Sequence, residues 1–162
     1  MPVVLVTGAN GLLGSSLVPY LRATGQSVIG ISRQSGTDMC ADFRDPGEAI
    51  RCLSLVNPDT IINLAAMTDV DACERDRGLA YSANVTIVEN IASWIRLSGS
   101  NSHLVQISTD QVYDGPGPHR EDDVTPTNVY GNQSAQQKRP RQPYRAPFFA
   151  PIFLAQAIAL AA

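Results

Sequence analysis

The sequence predicts an α/β fold built on a doubly wound parallel sheet, and three observations carry that prediction. Short apolar runs recur at residues 3–6, 27–31, 60–64 and 102–108, as strands buried on both faces require. Stretches with apolar residues at helical spacing separate them, so strand and helix alternate over residues 3–108, which implies right-handed crossovers. The first run leads directly into Gly8, Gly11 and Gly14, spaced three apart, with a helical pattern behind them.

In the first turn, Gly8 permits the sharp exit from the strand. Gly11 lets backbone approach a pyrophosphate, and Gly14 lets the helix pack closely on the sheet. Asn10, Leu12 and Leu13 complete this turn. The helix N-terminus behind it offers N–H groups and the positive end of a dipole to phosphate. Strand, glycine turn and helix in this order form a dinucleotide-binding pattern. Leu12, Leu13, Leu17, Val18 and Leu21 recur at helical spacing as the inward face, and Gly25 closes the helix.

The second strand, residues 27–31, ends in Ser32, Arg33 and Gln34. An acid at this point would hold the ribose 2′-hydroxyl of NAD, whereas an arginine suits the 2′-phosphate of NADP. Arg33 therefore points to NADP(H) rather than NAD(H); the alternative is a solvent-exposed loop arginine. Residues 39–43 read as a short third strand, with Asp42 and Phe43 either flanking the adenine or forming a plain turn. Asp45 caps the next helix and Pro46 occupies its first turn, with Ile50, Leu53 and Leu55 facing inward.

The fourth strand, residues 60–64, is followed by Ala65, Ala66, Met67 and Thr68. Small residues at the C-terminal edge of a parallel sheet suit close approach of backbone to a ligand, here the nicotinamide side of the cofactor. Residues 69–77 read as a polar turn or short helix, and residues 79–97 as a long helix with Ala80, Val85, Val88, Ile91, Ala92 and Ile95 as its buried stripe. Asn84, counted with the cofactor-binding residues, lies on that helix, where it either holds a local backbone group or water or is a surface asparagine. The fifth strand, residues 102–108, runs into Thr109, and a polar loop over 116–127 leads to Asn128-Val129-Tyr130-Gly131.

The 162 residues fit one domain, and a 44% hydrophobic content supports a real core. A net charge of −3 gives no overall drive towards nucleic acid or an anionic membrane. Cys40, Cys52 and Cys73 form an odd set without close pairs, which argues for free thiols in a reducing compartment and against a disulfide framework or a metal site. No secretory pattern opens the chain, and no run approaches the roughly 20 apolar residues of a membrane span, so the expected location is the cytoplasm.

The segments TGANGLLG, INLAAMTDVDACE, AYSANV, ISTDQVYDG and REDDVTPTNVYG together resemble the extended short-chain dehydrogenase/reductases. The most similar branch holds dTDP-4-dehydrorhamnose reductase and its sugar-nucleotide-binding relatives, and the resemblance runs from Pro2 to about Gly131. It implies a Rossmann-type fold and reduction of the C4 ketone of a nucleotide-linked deoxysugar. A tyrosine donates the proton, a Ser/Thr hydroxyl bonds the same oxygen, and a lysine four residues after the tyrosine lowers its pKa. Thr109 matches the hydroxyl position and Tyr130 the acid. Regulatory subunits of methionine adenosyltransferase resemble the same branch, so a second implied role is dinucleotide binding without reduction. The partner implied is a nucleotide-linked sugar, with a homodimer as an accessible assembly and no nucleic acid or membrane partner.

The chain departs from that pattern at the lysine, because the fourth residue after Tyr130 is Ser134. Lys138 comes eight residues after Tyr130, about 12 Å along a helix axis, and Pro140 and Pro143 make a long helix there unfavourable. The composition breaks at the same place. All 15 acidic residues lie between Asp38 and Asp123, while the sequence from Gly131 onward holds no acid, four basic residues and four prolines. The expected organisation is therefore a dinucleotide-binding domain over 1–131 and a divergent, poorly ordered tail over 132–162, truncated or frame-shifted relative to the family. In this reading the sheet is incomplete at its C-terminal side, lacking its sixth strand and the substrate region.

Overall fold

A computed structural model describes residues 1–120 and 122–137 in full and the backbone of residues 149–153. The strands are β1 (Val3–Thr7), β2 (Ser27–Ser32), β3 (Met39–Cys40), β4 (Thr60–Asn63), β5 (His103–Ser108) and β6 (Phe149–Phe153). They form one parallel sheet in the order β3-β2-β1-β4-β5-β6. The order reverses beside β1, so the glycine turn opens at the sheet's switch point, where open α/β sheets bind ligands.

The helices are α1 (Gly14–Ala23), α2 (Pro46–Val56), α3 (Val70–Arg75), α4 (Arg77–Tyr81), α5 (Ile87–Ser98) and α6 (Val129–Gln137). The main core joins Leu5, Ile31, Ile61 and Leu104 of the sheet to Leu53 of α2 and Ile91 of α5. A smaller core sets Val18 of α1 against Val6, Ala9 and Val28. Cys52 and Cys73 are buried as small apolar residues, and burial pushes the Cys52 thiol up to about 11. Among the described residues, no helix is long and apolar enough to cross a membrane.

Several elements differ from the sequence-based expectation, each for a physical reason. Leu12 is 96% exposed, because α1 starts only at Gly14 and Leu12 stands on the turn ahead of it. In α2 the buried face is Ala49, Cys52 and Leu53, while Ile50 and Leu55 point outward. Asp45 does cap this helix, accepting from Glu48 N at 2.7 Å, and that cap fixes the helix phase. The third strand shrinks to Met39–Cys40, since the backbone turns at Asp42, whose carboxylate accepts from Arg44 N at 3.0 Å. The expected helix over 79–97 divides into α4, a wider π-type turn at Ser82–Thr86, and α5.

The largest corrections lie beyond Gly131. The sequence predicts neither a continuing helix nor a sixth strand, yet α6 runs to Gln137 and β6 pairs in parallel with β5, from Leu104 opposite Phe149 to Ser108 opposite Phe153. The inward stripe of α6 is polar, so hydrophobic periodicity does not reveal it. The edge position of β6 accommodates Pro151, which has no N–H to give to a further strand. Lys138, Pro140 and Pro143 lie outside the described residues.

Candidate active site

The C-terminal ends of β1, β4 and β5 bring most of the sequence-predicted site residues to one edge. β1 delivers Gly8, whose φ is +64°. A Cβ there would lie 2.9 Å from Ala65 N, so the glycine turn and the Ala65–Ala66 segment touch through backbone alone. Gly14 is tighter: a Cβ would sit 2.4 Å from Gly8 O and 2.7 Å from Ala9 Cα. Gly11 N donates to Gly8 O at 2.9 Å and closes the turn, and α1 begins with no side-chain cap at Leu13. Such a turn, feeding an uncapped helix start, is shaped to accept phosphate oxygens.

At the ends of β2 and β3 lie the residues that the sequence assigns to the adenosine. Arg33 is exposed just beyond β2, and Asn10 Nδ2 donates to Gln34 Oε1 beside it at 3.4 Å. Asp42 is gripped by Arg44, whose Nε reaches its two oxygens at 2.9 and 3.0 Å. Hydrogen bonds from the Arg44 side chain hold the Asp42 carboxyl below its ordinary range. The Phe43 ring is packed in the main core, and the Asn90 amide fixes the Phe43 carbonyl at 2.9 Å.

On the opposite side stand Thr109 and Tyr130. Thr109 is buried at the end of β5, and its hydroxyl accepts from Gln111 N at 3.2 Å, capping the short 3₁₀ turn Asp110–Val112. Tyr130 is half-buried on the first turn of α6. Burial raises the Tyr130 phenol above its ordinary value, and nearby Cys73 and Asp110 act in the same direction. Hydrogen bonds from Thr109 and Ser134 work the other way without overcoming burial. The two residues assigned from the sequence therefore lie close enough for Thr109 to influence the phenol, with the Thr109 hydroxyl itself donating to Asp110 Oδ1 at 3.2 Å, and a neutral Ser134 stands where the resemblance implies a cation.

Gly131 permits this meeting. A Cβ there would lie 2.1 Å from Gln111 O, so α6 rests directly on the backbone of the 110–112 turn. Gly131→Ala is expected to push α6 off that turn and to destabilise the chain by about 1–3 kcal/mol, read by urea denaturation. Gly78→Ala is the matched control, because its Cβ would meet only Asp76 Oδ1, at 3.6 Å.

Asn84 has the backbone-holding role. It is 1% exposed, accepts from Met67 N at 2.7 Å and donates to Met67 O at 3.0 Å, so it fixes the segment that carries Ala65, Ala66 and Thr68. Sequence reasoning missed Gln133, Ser134 and Gln137, which are all buried on α6. Their spacing with Tyr130, at i, i+3, i+4 and i+7, is a helical stripe, but one written in polar residues.

Residues 1–138 match the RmlD substrate binding domain family. Among curated relatives, the dTDP-4-dehydrorhamnose reductase of Streptomyces griseus is 38% identical over 134 residues, covering 80% of this chain and 41% of the relative. The spore coat polysaccharide biosynthesis protein SpsK of Bacillus subtilis is 34% identical over 137 residues, covering 81% and 45%. A hypothetical dTDP-4-dehydrorhamnose reductase from Sulfolobus tokodaii superposes with a TM-score of 0.77 at 35% identity, covering 85% of this chain and 50% of that one. The Bacillus anthracis dTDP-4-dehydrorhamnose reductase in complex with NADP gives 0.74 at 30% identity, covering 86% and 49%. UDP-glucose 4-epimerase from Brucella ovis, at 21% identity and a TM-score of 0.76, shares the fold. The match continues past Gly131 to residue 138, but the chain spans less than half the length of these curated relatives. With this match over most of its length, on a Rossmann-type parallel sheet, the chain belongs to the RmlD substrate binding domain family.

Proposed function

We propose that this chain is the dinucleotide-binding half of a reductase acting on the C4 ketone of a nucleotide-linked deoxysugar, as in dTDP-4-dehydrorhamnose reduction, with NADP(H) preferred and turnover impaired. The observation that carries this reading is the approach of Thr109 and Tyr130 at the sheet edge that also holds the glycine turn. NADPH, when bound, supplies the hydride. The glycine turn and the start of α1 would receive its pyrophosphate, Arg33 its 2′-phosphate, and the Ala65–Thr68 segment its nicotinamide side.

Tyr130 keeps its proton at neutral pH and can give it to an alkoxide developing beside it, while the Thr109 hydroxyl hydrogen-bonds the same oxygen. Ser134 limits this step. A hydroxyl contributes one hydrogen bond but no charge, so the phenol remains a reluctant donor. The composition change after Gly131 is read as divergence from the family's pattern, although the family match runs to residue 138; a Tyr-x-x-x-Lys continuation in another frame of the DNA downstream of the Gly131 codon would identify a shifted frame.

The serine at position 134 also favours a second reading, a non-catalytic dinucleotide-binding protein. Incubating the full chain with NADPH and a dTDP-4-keto-6-deoxysugar separates the two. Slow loss of NADPH absorbance that disappears in Tyr130→Phe supports the reductase. Binding without turnover supports the second reading, and no binding of either nucleotide overturns both. For cofactor choice, Arg33→Ala is expected to weaken NADPH by about 10- to 100-fold, the value of a charge-assisted phosphate contact, and to leave NADH nearly unchanged in fluorescence titration.

A further inference from the structure

The segments assigned to cofactor and substrate are joined beneath the surface by one line of buried polar side chains. Thr7, immediately before Gly8, donates from its hydroxyl to Asn63 Oδ1 at 2.5 Å and accepts from Leu64 N and Ala65 N at 3.2 and 3.3 Å. Asn63 Nδ2 donates to Gln106 Oε1 at 2.7 Å, and Gln106 Nε2 donates to Gln137 Oε1 at 3.0 Å. Gln137 Nε2 donates to the main-chain oxygen of Asn84 in the π-type turn. Asn84 in turn clasps both main-chain groups of Met67. Each donor points along the line to the next acceptor, an arrangement in which the bonds polarise one another.

The line has one contact that reaches α6 from the sheet, and that contact is Gln137. The helix runs antiparallel to β5, with Gly131 against Gln111 at one end and Gln137 against Gln106 at the other. Tyr130 lies two turns before Gln137 on the same stripe. We propose that Gln137 is a positioning residue that sets Tyr130 against Thr109 by tying α6 at once to β5 and to the Asn84–Met67 clasp. The inference rests on the reading of Tyr130 as the proton donor.

The amide side chain suits this role because it needs both an acceptor and a donor. Methionine keeps its length and removes both, leaving Gln106 Nε2 and Asn84 O without their α6 partner inside the protein. In full-length Gln137→Met, the phenolic titration of Tyr130, isolated by subtracting the same spectrum of Tyr130→Phe, is expected to fall back towards the ordinary tyrosine value as the ring is released from burial. Turnover is expected to drop by about 10-fold or more while NADPH affinity stays within a few-fold, as misplacement of a reacting group requires. Gln106→Met cuts the same contact from the strand along with its own bond to Asn63, so the double variant should cost less than the sum of the two single ones.

A cooperatively melting Gln137→Met with unmoved Tyr130 titration would overturn the proposal. If neither variant folds, hydrogen exchange of the Gln137 side-chain amide in the unaltered chain decides: exchange as slow as the β5 backbone supports the tie, and exchange as fast as free glutamine refutes it. A chain that binds no dinucleotide refutes the reductase reading instead, and the Tyr130 titration still reports on Gln137.

Discussion

Ser134→Lys is expected to raise turnover of a nucleotide-linked 4-ketosugar by about 10²-fold, the lower end of what a well-matched general acid contributes. The Tyr130 phenol is held high mainly by burial, and the hydroxyls of Thr109 and Ser134 only partly offset this. A lysine ammonium at position 134, one helical turn beyond the tyrosine, favours the phenolate and brings the phenol down towards the working pH. Stopped-flow reduction and the Tyr130 titration should move together, and Tyr130→Phe in the Ser134→Lys background should erase the gain. A titration that falls while turnover stays flat would mean that a step other than proton donation by Tyr130 limits the reaction.

Gly14→Ala carries the largest expected effect on cofactor binding. The added methyl would collide with Gly8 O and Ala9 Cα, and neither backbone atom can rotate away as a side chain could. Either α1 retreats from the sheet or the turn opens, and both outcomes move the helix N-terminus away from the phosphates. Overpacking of this kind destabilises by about 1–3 kcal/mol, and NADPH affinity should fall by at least about 10-fold. Calorimetric titration checks the affinity and denaturant unfolding checks the stability. Intact affinity in Gly14→Ala would mean that the glycine turn is not where the nucleotide binds.

The first half of the molecule was legible because its signals are local. Val3–Val6 is apolar throughout and the glycines behind it are spaced by steric necessity, so strand, turn and helix start follow from the twelve residues Val3–Gly14. The Asp45–Pro46 start and the buried stripe from Ala80 to Ile95 follow from capping and helical periodicity in the same way. What resisted was polar burial. Asn63, Gln106 and Gln137 occupy core positions that apolar patterning assigns to Leu or Val, and they are tolerated because each finds a partner far away in sequence. Ile50 and Leu55 misled for the opposite reason, since apolar residues on the surface of a helix are common and carry no positional signal. The tail misled through composition: glutamine and proline read as disorder, whereas α6 uses its glutamines as internal partners and β6 meets its proline at a sheet edge.

Dinucleotide binding by the Val3–Gly14 region is the claim on which the proposed function stands. Calorimetric titration of the full chain with NADPH and, separately, NADH tests it most directly. Saturable one-to-one binding of NADPH, tighter than that of NADH and abolished or sharply weakened by Gly14→Ala, is the predicted result. Absence of heat with both nucleotides, from a chain that melts cooperatively, would contradict it.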